Sequence, residues 1–179
     1  MRKDIRLSGF GGQGVGLAGF ILGKAASLYQ GLEAAMTQAY GPEARGGASS
    51  SDVVIADRPI DYPFIQQADI LVALSQEAYT RFRGEAKTDA LVVVDEGLVT
   101  PLEGDRPLRI PATRLAEGIG HRIVANVIML GFLTAVMGVL ERQAVEKAIE
   151  SSVRPKTVPL NLQAFALGFD YASKKERIT

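Results

Sequence analysis

The sequence predicts an α/β fold: three layers, with a mainly parallel twisted sheet, flanking helices and a helical C-terminal third. Three observations carry this. Strand-like and helix-like segments alternate through the first two thirds of the chain. Residues 68–74 and 90–95 are near-continuous apolar runs, the pattern of parallel strands covered on both faces. A glycine-rich turn over residues 8–16 joins an early strand to a long apolar helix. At 179 residues the chain suits one domain spanning residues 1–179.

The elements follow in order. Residues 4–8 alternate polar and apolar, as a strand does, and residues 15–29 have helical spacing, with Leu17, Phe20, Ile21, Ala25 and Leu28 apolar. Gly31 ends that helix. Residues 32–36 form a short second strand. Residues 38–51 have no hydrophobic period and four glycine or proline breakers, which reads as a long loop of the kind that carries function. The third strand, 52–57, is stopped by Arg58-Pro59. Ser75 caps a helix that runs to Phe82 after the fourth strand, 68–74. The fifth strand is 90–95, and 108–110 is an edge strand before Pro111. Helices follow at 113–119, 122–139, 141–153 and 160–175. Ligands of such sheets bind beyond the carboxyl ends of strands, where the glycine turn and the start of the 38–51 loop fall.

Composition removes several classes of function. Lys plus Arg and Asp plus Glu are 20 each, so no net charge draws the chain to nucleic acid or an anionic membrane surface. The apolar stretch 123–140 is interrupted by Asn126, Thr134 and glycines, which fits a buried helix and no membrane span. The start, Met-Arg-Lys-Asp, leads directly into a strand without a secretory apolar region, so a cytoplasmic location is expected. There is no cysteine for a disulfide, a cluster ligand or a thiol nucleophile. His121 is the only histidine, too little for a zinc site or a Ser-His-Asp triad, and it reads as a cap or surface residue. Asp95 and Glu96, at a strand exit, read as caps or solvated acids.

Gly9, Gly11 and Gly14 stand in G-x-G-x-x-G register. Glycine permits positive φ and close approach of a ligand, and the amides that open the next helix form an anion site. A dinucleotide site also needs an acid at the far end of the second strand, where the chain has Met36-Thr37-Gln38. NAD or FAD binding is therefore disfavoured.

Four segments together resemble a known family: Gly9-Phe10-Gly11-Gly12-Gln13-Gly14-Val15; Tyr40-Gly41-Pro42-Glu43-Ala44-Arg45-Gly46-Gly47; Asn126-Val127-Ile128-Met129-Leu130-Gly131; and Asn161-Leu162-Gln163-Ala164-Phe165. In order and spacing they are similar to the gamma subunit of 2-oxoacid:ferredoxin oxidoreductases, over essentially the whole chain. The resemblance implies a multi-subunit enzyme that decarboxylates a 2-oxoacid with coenzyme A to an acyl-CoA, carbon dioxide and reduced ferredoxin. It implies alpha and beta subunits as partners, with delta a further candidate and ferredoxin reached through the complex. Thiamine diphosphate, magnesium and iron-sulfur clusters would belong to those other subunits, with no cofactor bound by this chain alone. The Arg-Gly-Gly-Ala-Ser run at residues 45–49 and the segment 60–63 favour the 2-oxoglutarate branch.

No residue is expected to be catalytic. The binding candidates are Gly11, Gly12, Gln13, Gly14, Tyr40, Glu43, Arg45, Gly46, Gly47 and Asn126. Backbone amides near Gly11–Gly14 suit a phosphate or carboxylate. Arg45 can pair with such an anion, with Glu43 or with a partner subunit. Asn126, inside an apolar helix, needs a hydrogen bond and is expected to pin a glycine loop; Gln13 can pin or bind. The rival readings are a free-standing nucleotide- or CoA-binding module and an independent small-molecule reductase.

Overall fold

The computed structural model describes residues 1–40 and 47–176. The strands are β1 (Arg2–Phe10), β2 (Glu33–Ala39), β3 (Ala48–Ala56), β4 (Ala68–Ala73), β5 (Ala86–Asp95) and β6 (Leu108–Ile110). The helices are α1 (Val15–Lys24), α2 (Gln76–Phe82), α3 (Ala112–Gly118), α4 (Ala125–Met137), α5 (Arg142–Glu150) and α6 (Val158–Glu176). One six-stranded sheet runs β2-β3-β1-β4-β5-β6. The pairs β1–β4, β4–β5 and β5–β6 are parallel, while β3 is antiparallel to both its neighbours. Five strands therefore point one way, and the sheet is mixed through β3 alone.

Of the predicted loop 38–51, residues 38–39 and 48–51 are sheet. Gln38 and Ala39 pair with Ser51 and Ser50, and Ala48–Ser51 pair with Phe10–Leu7 of β1. Residues 48–51 hid this because three serines carry no apolar alternation, yet all three are buried. Their small size has a use. A methyl group on Gly19 would fall within 3.0 Å of the Ser51 hydroxyl, so α1 lies flat on β3 through a glycine–serine contact.

The two faces of the sheet are covered differently. Ile5, Leu7, Val53, Ile55, Ile70, Val72 and Val93 face α1 and α4. The alternate residues Leu71, Ala73, Val92 and Val94 face α2 through Ala78, Tyr79 and Phe82. The C-terminal helices add depth on the first face, since α6 packs on α4 at a close crossing. A methyl on Gly131 would collide with the backbone of Phe165, and one on Gly168 with the backbone of Ile128. The helix predicted for 122–139 starts as a 3-10 turn over Arg122–Val124 and stops at Met137, where Gly138 takes φ 61°. The helix predicted for 15–29 changes at Ala25 into a π-turn that runs to Tyr29.

Alternation along β1 puts Arg6 on the polar side, which sequence reading leaves to solvent. In the fold Arg6 is buried beneath α2. Its guanidinium forms two bonds to Asp52 of β3, 2.8 Å and 2.7 Å, a further ion pair to Glu85, and lies 5.1 Å from the Phe82 ring centre. The hydrogen bonds to Asp52 raise its pKa further, against burial.

Below α2, Arg83 forms two bonds to Asp105, 2.6 Å and 2.8 Å, and the Tyr79 hydroxyl donates a third. Arg83 first, and Tyr79 next, hold the Asp105 carboxyl below its usual 3.8. A carboxylate with a depressed folded pKa stabilises above its unfolded pKa, and that stability is lost as pH falls through the folded value. Asp105→Asn is therefore expected to lower the urea midpoint at pH 7, and the difference from wild type should close below about pH 4. A difference that stays constant between pH 7 and pH 3 would contradict this.

Candidate active-site crevice at the glycine turn

The site lies where the strand order reverses. From β1 the chain leaves through α1 on one face towards β2, and from β4 it leaves through α2 on the other face towards β5. A crevice opens at the carboxyl ends of strands flanking such a point. Here it has a volume of about 270 Å³ and is lined by Gly12, Gln13, Leu74, Thr113, Arg122, Ile123, Ala125 and Asn126. A neighbouring hollow of about 250 Å³ shares Thr113 and Arg122 and reaches Asp95, Glu96 and Glu117.

The turn is set by two glycines with positive φ, Gly12 at 92° and Gly14 at 77°. Gly14 is the residue before α1 and offers no side chain to cap it. The first amides of a helix have no intrahelical acceptor, and α1 has no acid in its first turn. The start of α4 adjoins the same crevice, but it continues the 3-10 turn, and the Val124 and Ala125 amides already bond to the His121 and Arg122 carbonyls. The open amides therefore belong to the start of α1, next to Gly12 and Gln13 of the crevice, a setting that favours negative charge.

The side chains expected to bind mostly hold the turn in place. The Gln13 carboxamide accepts from the Phe10 amide, 2.6 Å, and donates to the Leu74 carbonyl, 2.9 Å, tying the ends of β1 and β4 together. Asn126 donates to the Gly14 carbonyl, 3.0 Å, as a pin of the glycine turn would. Its Oδ1 is buried and has no hydrogen-bond partner among the described residues. A side chain on Gly14 would strike the Asn126 amide. Gly11 stands open beside Gly12, and both leave bare backbone at the mouth.

The candidates of the second glycine segment fall elsewhere. Tyr40, at the end of β2, is 79% exposed and donates to Gln38. Gly47 precedes Ala48, the partner of Phe10, so the β2–β3 hairpin emerges beside the glycine turn on its β3 side. The crevice opens on the β4 side. Glu43, Arg45 and Gly46 lie outside the described residues.

Asp95 is fully buried and serves structure. Its carboxylate accepts from the Gly97 amide at 2.9 Å, the Thr113 amide at 2.8 Å and the Thr113 hydroxyl at 2.7 Å, which fixes the start of α3. His121 is exposed ahead of the 3-10 turn and caps nothing through its side chain. Sequence reading missed Thr113, Arg122 and Ile123. Attention there went to the lone histidine, and an arginine ahead of an apolar helix has no motif of its own.

The absence of an acid at the end of β2 is matched by a topological difference. In a dinucleotide fold the second strand lies beside the first. Here β3 separates them.

The family model for pyruvate ferredoxin/flavodoxin oxidoreductase matches residues 4–171. The chain belongs to this family. It is 51% identical to a 2-oxoglutarate synthase subunit KorC of Methanocaldococcus jannaschii, covering 97% of this chain and 96% of that one. The crystal structure of the keto/oxoacid ferredoxin oxidoreductase gamma subunit of Geobacter sulfurreducens superposes with a TM-score of 0.89 at 42% identity, covering 97% and 98% of the two chains. A ketoisovalerate oxidoreductase subunit VorA of Methanothermobacter marburgensis is 34% identical over 95% of this chain, which corresponds to 36% of that longer polypeptide. Among the described residues no helix is long and apolar enough to cross a membrane.

Proposed function

We propose that this chain is the gamma subunit of a 2-oxoglutarate:ferredoxin oxidoreductase. The assembled enzyme decarboxylates 2-oxoglutarate with coenzyme A, giving succinyl-CoA, carbon dioxide and reduced ferredoxin. The observation that carries the reading is near-complete alignment at 51% identity with a 2-oxoglutarate synthase subunit. The run at residues 45–49 and the segment 60–63 agree with that branch. Thiamine diphosphate, magnesium and the iron-sulfur clusters belong, on this reading, to the alpha and beta subunits and any delta subunit. This chain has no cysteine with which to ligate a cluster. The proposed location is the cytoplasm.

The part given to this chain is to hold the anionic end of coenzyme A. The crevice suits that group because it combines the open amides at the start of α1, bare backbone at Gly12 with Gly11 beside it, and the guanidinium of Arg122. Gln13 and Asn126 act by fixing the turn. Tyr40, Glu43, Arg45, Gly46 and Gly47 are proposed to meet ligand or a neighbouring subunit.

The test is a substrate panel on the complex assembled by co-expression. With ferredoxin as acceptor, kcat/KM for 2-oxoglutarate should exceed that for pyruvate, 2-ketoisovalerate and indolepyruvate by about tenfold or more. This chain alone should turn over none of them. A higher value for another oxoacid overturns the substrate assignment. Turnover by the isolated chain, or tight coenzyme A binding without partners, overturns the subunit reading.

A further inference from the structure

The two edges of the sheet are finished differently. β6 has three residues, carries Arg109 and is flanked by Pro107 and Pro111. Short length, charge and proline are the usual devices that stop an edge from pairing. The opposite edge, β2, has seven residues, Glu33-Ala34-Ala35-Met36-Thr37-Gln38-Ala39, without proline, lysine or arginine. Its only charge sits at its first residue. Half of its amides and carbonyls point away from β3, and among the described residues no strand lies on that side.

An apolar groove runs beside this edge. About 310 Å³ in volume, it is lined by Phe20, Lys24 and Leu28 from the first helix and by Ala34, Ala35 and Met36 from β2. Phe20 is 51% and Leu28 68% exposed, although spacing predicts both to face the core. The core positions of that helix are filled by Ile21, Leu22 and Ala25, all fully buried. The helix is thus apolar on two sides, as in a helix covered on both. The π-turn from Ala25 to Tyr29 contributes Leu28 to the outer side, and such turns recur at functional positions.

We infer that β2 and this groove dock another subunit of the same oxidoreductase, which adds an extended strand along β2 and seats apolar side chains against Phe20, Leu28 and Met36. The inference rests on the reading of this chain as a subunit. In the VorA relative the region matching this chain is 36% of one polypeptide, so the same unit is covalently bound to a large neighbour. The KorC relative has the length of this chain, so there the neighbour arrives as a separate chain. Permanent interfaces of that kind are the more apolar ones. A second copy fits worse, because two concave grooves facing each other across a two-fold axis leave a void.

The test uses the chain alone and in the co-expressed complex. Phe20→Glu with Leu28→Glu changes only exposed side chains, so the isolated variant should melt at the wild-type temperature. Its recovery in complex with the other subunits should fall by about tenfold or more. In the wild type, amide exchange over residues 33–39 should slow by about tenfold or more on assembly. Full assembly of the variant, or unchanged exchange over 33–39 in the complex, overturns the proposal. So does a wild-type dimer of this chain that the double variant splits, since a second copy would then hold the groove. All readouts are taken without substrate. A protected β2 in a complex that does not oxidise 2-oxoglutarate would refute the substrate assignment and leave the docking surface standing.

Discussion

Gly168→Ala is expected to destabilise the chain by about 2–3 kcal/mol, lowering its melting temperature by about 5–10 °C. Alanine is the better helix former by about 1 kcal/mol, so a loss of stability reports packing and not propensity. At the α4–α6 crossing the added methyl would lie within 3.0 Å of the Ile128 carbonyl oxygen and carbon and the Phe132 amide nitrogen. These are backbone atoms of a buried helix, so relief requires the two helices to separate. Gly131→Ala meets the backbone of Phe165 and Phe169 in the same way. Gly23→Ala is the control, because a methyl there has no atom within 4 Å. Thermal melts of the three variants check this. A melting temperature for Gly168→Ala at or above wild type would mean the crossing is looser than the structure shows.

Asp52→Ala should cost about 3–5 kcal/mol, because it leaves the Arg6 guanidinium in the interior without its principal partner. The ion pair to Glu85 remains and favours the low end of the range, although that half-exposed carboxylate compensates only in part. Replacing both partners, with Arg6→Leu added, should recover part of the loss, since a removed buried charge no longer needs a partner. Urea unfolding of the single and double variants measures this. A double variant less stable than Asp52→Ala would contradict the account.

The pattern of apolar runs made the parallel half of the sheet legible, because residues 70–73 of β4 and 92–94 of β5 are covered on both faces and are apolar throughout. β3 was only half legible. Its second part, Val53-Val54-Ile55, is apolar, but Ser49-Ser50-Ser51 carries small, buried polar residues, of which Ser51 meets Gly19 of α1. The pairing of Arg6 with Asp52 was not legible either, since only the long-range strand order brings the two together under α2.

At the site, the glycine turn and the pin from Asn126 were legible because glycine and a buried amide each imply a narrow set of backbone needs. Arg122 and Thr113 were not, since their role comes from the sheet order that brings the starts of α3 and α4 to the ends of β1 and β4. The exposed side of the first helix was hidden by its own apolarity. A helical period cannot tell a face buried in its own core from one kept for a neighbour.

In the proposed function, the crevice at the glycine turn holds the anionic end of coenzyme A in the assembled enzyme. The most direct measurement of this is the KM for coenzyme A of the complex carrying Arg122→Ala, shown intact by gel filtration. Arg122 is largely exposed and, among the described residues, its ion pair is with Glu117 at 3.5 Å, so the change should leave folding alone. Loss of one charge-assisted hydrogen bond should raise the KM for coenzyme A by about tenfold, with the KM for 2-oxoglutarate unchanged. An unchanged KM for coenzyme A in an intact complex would contradict the account.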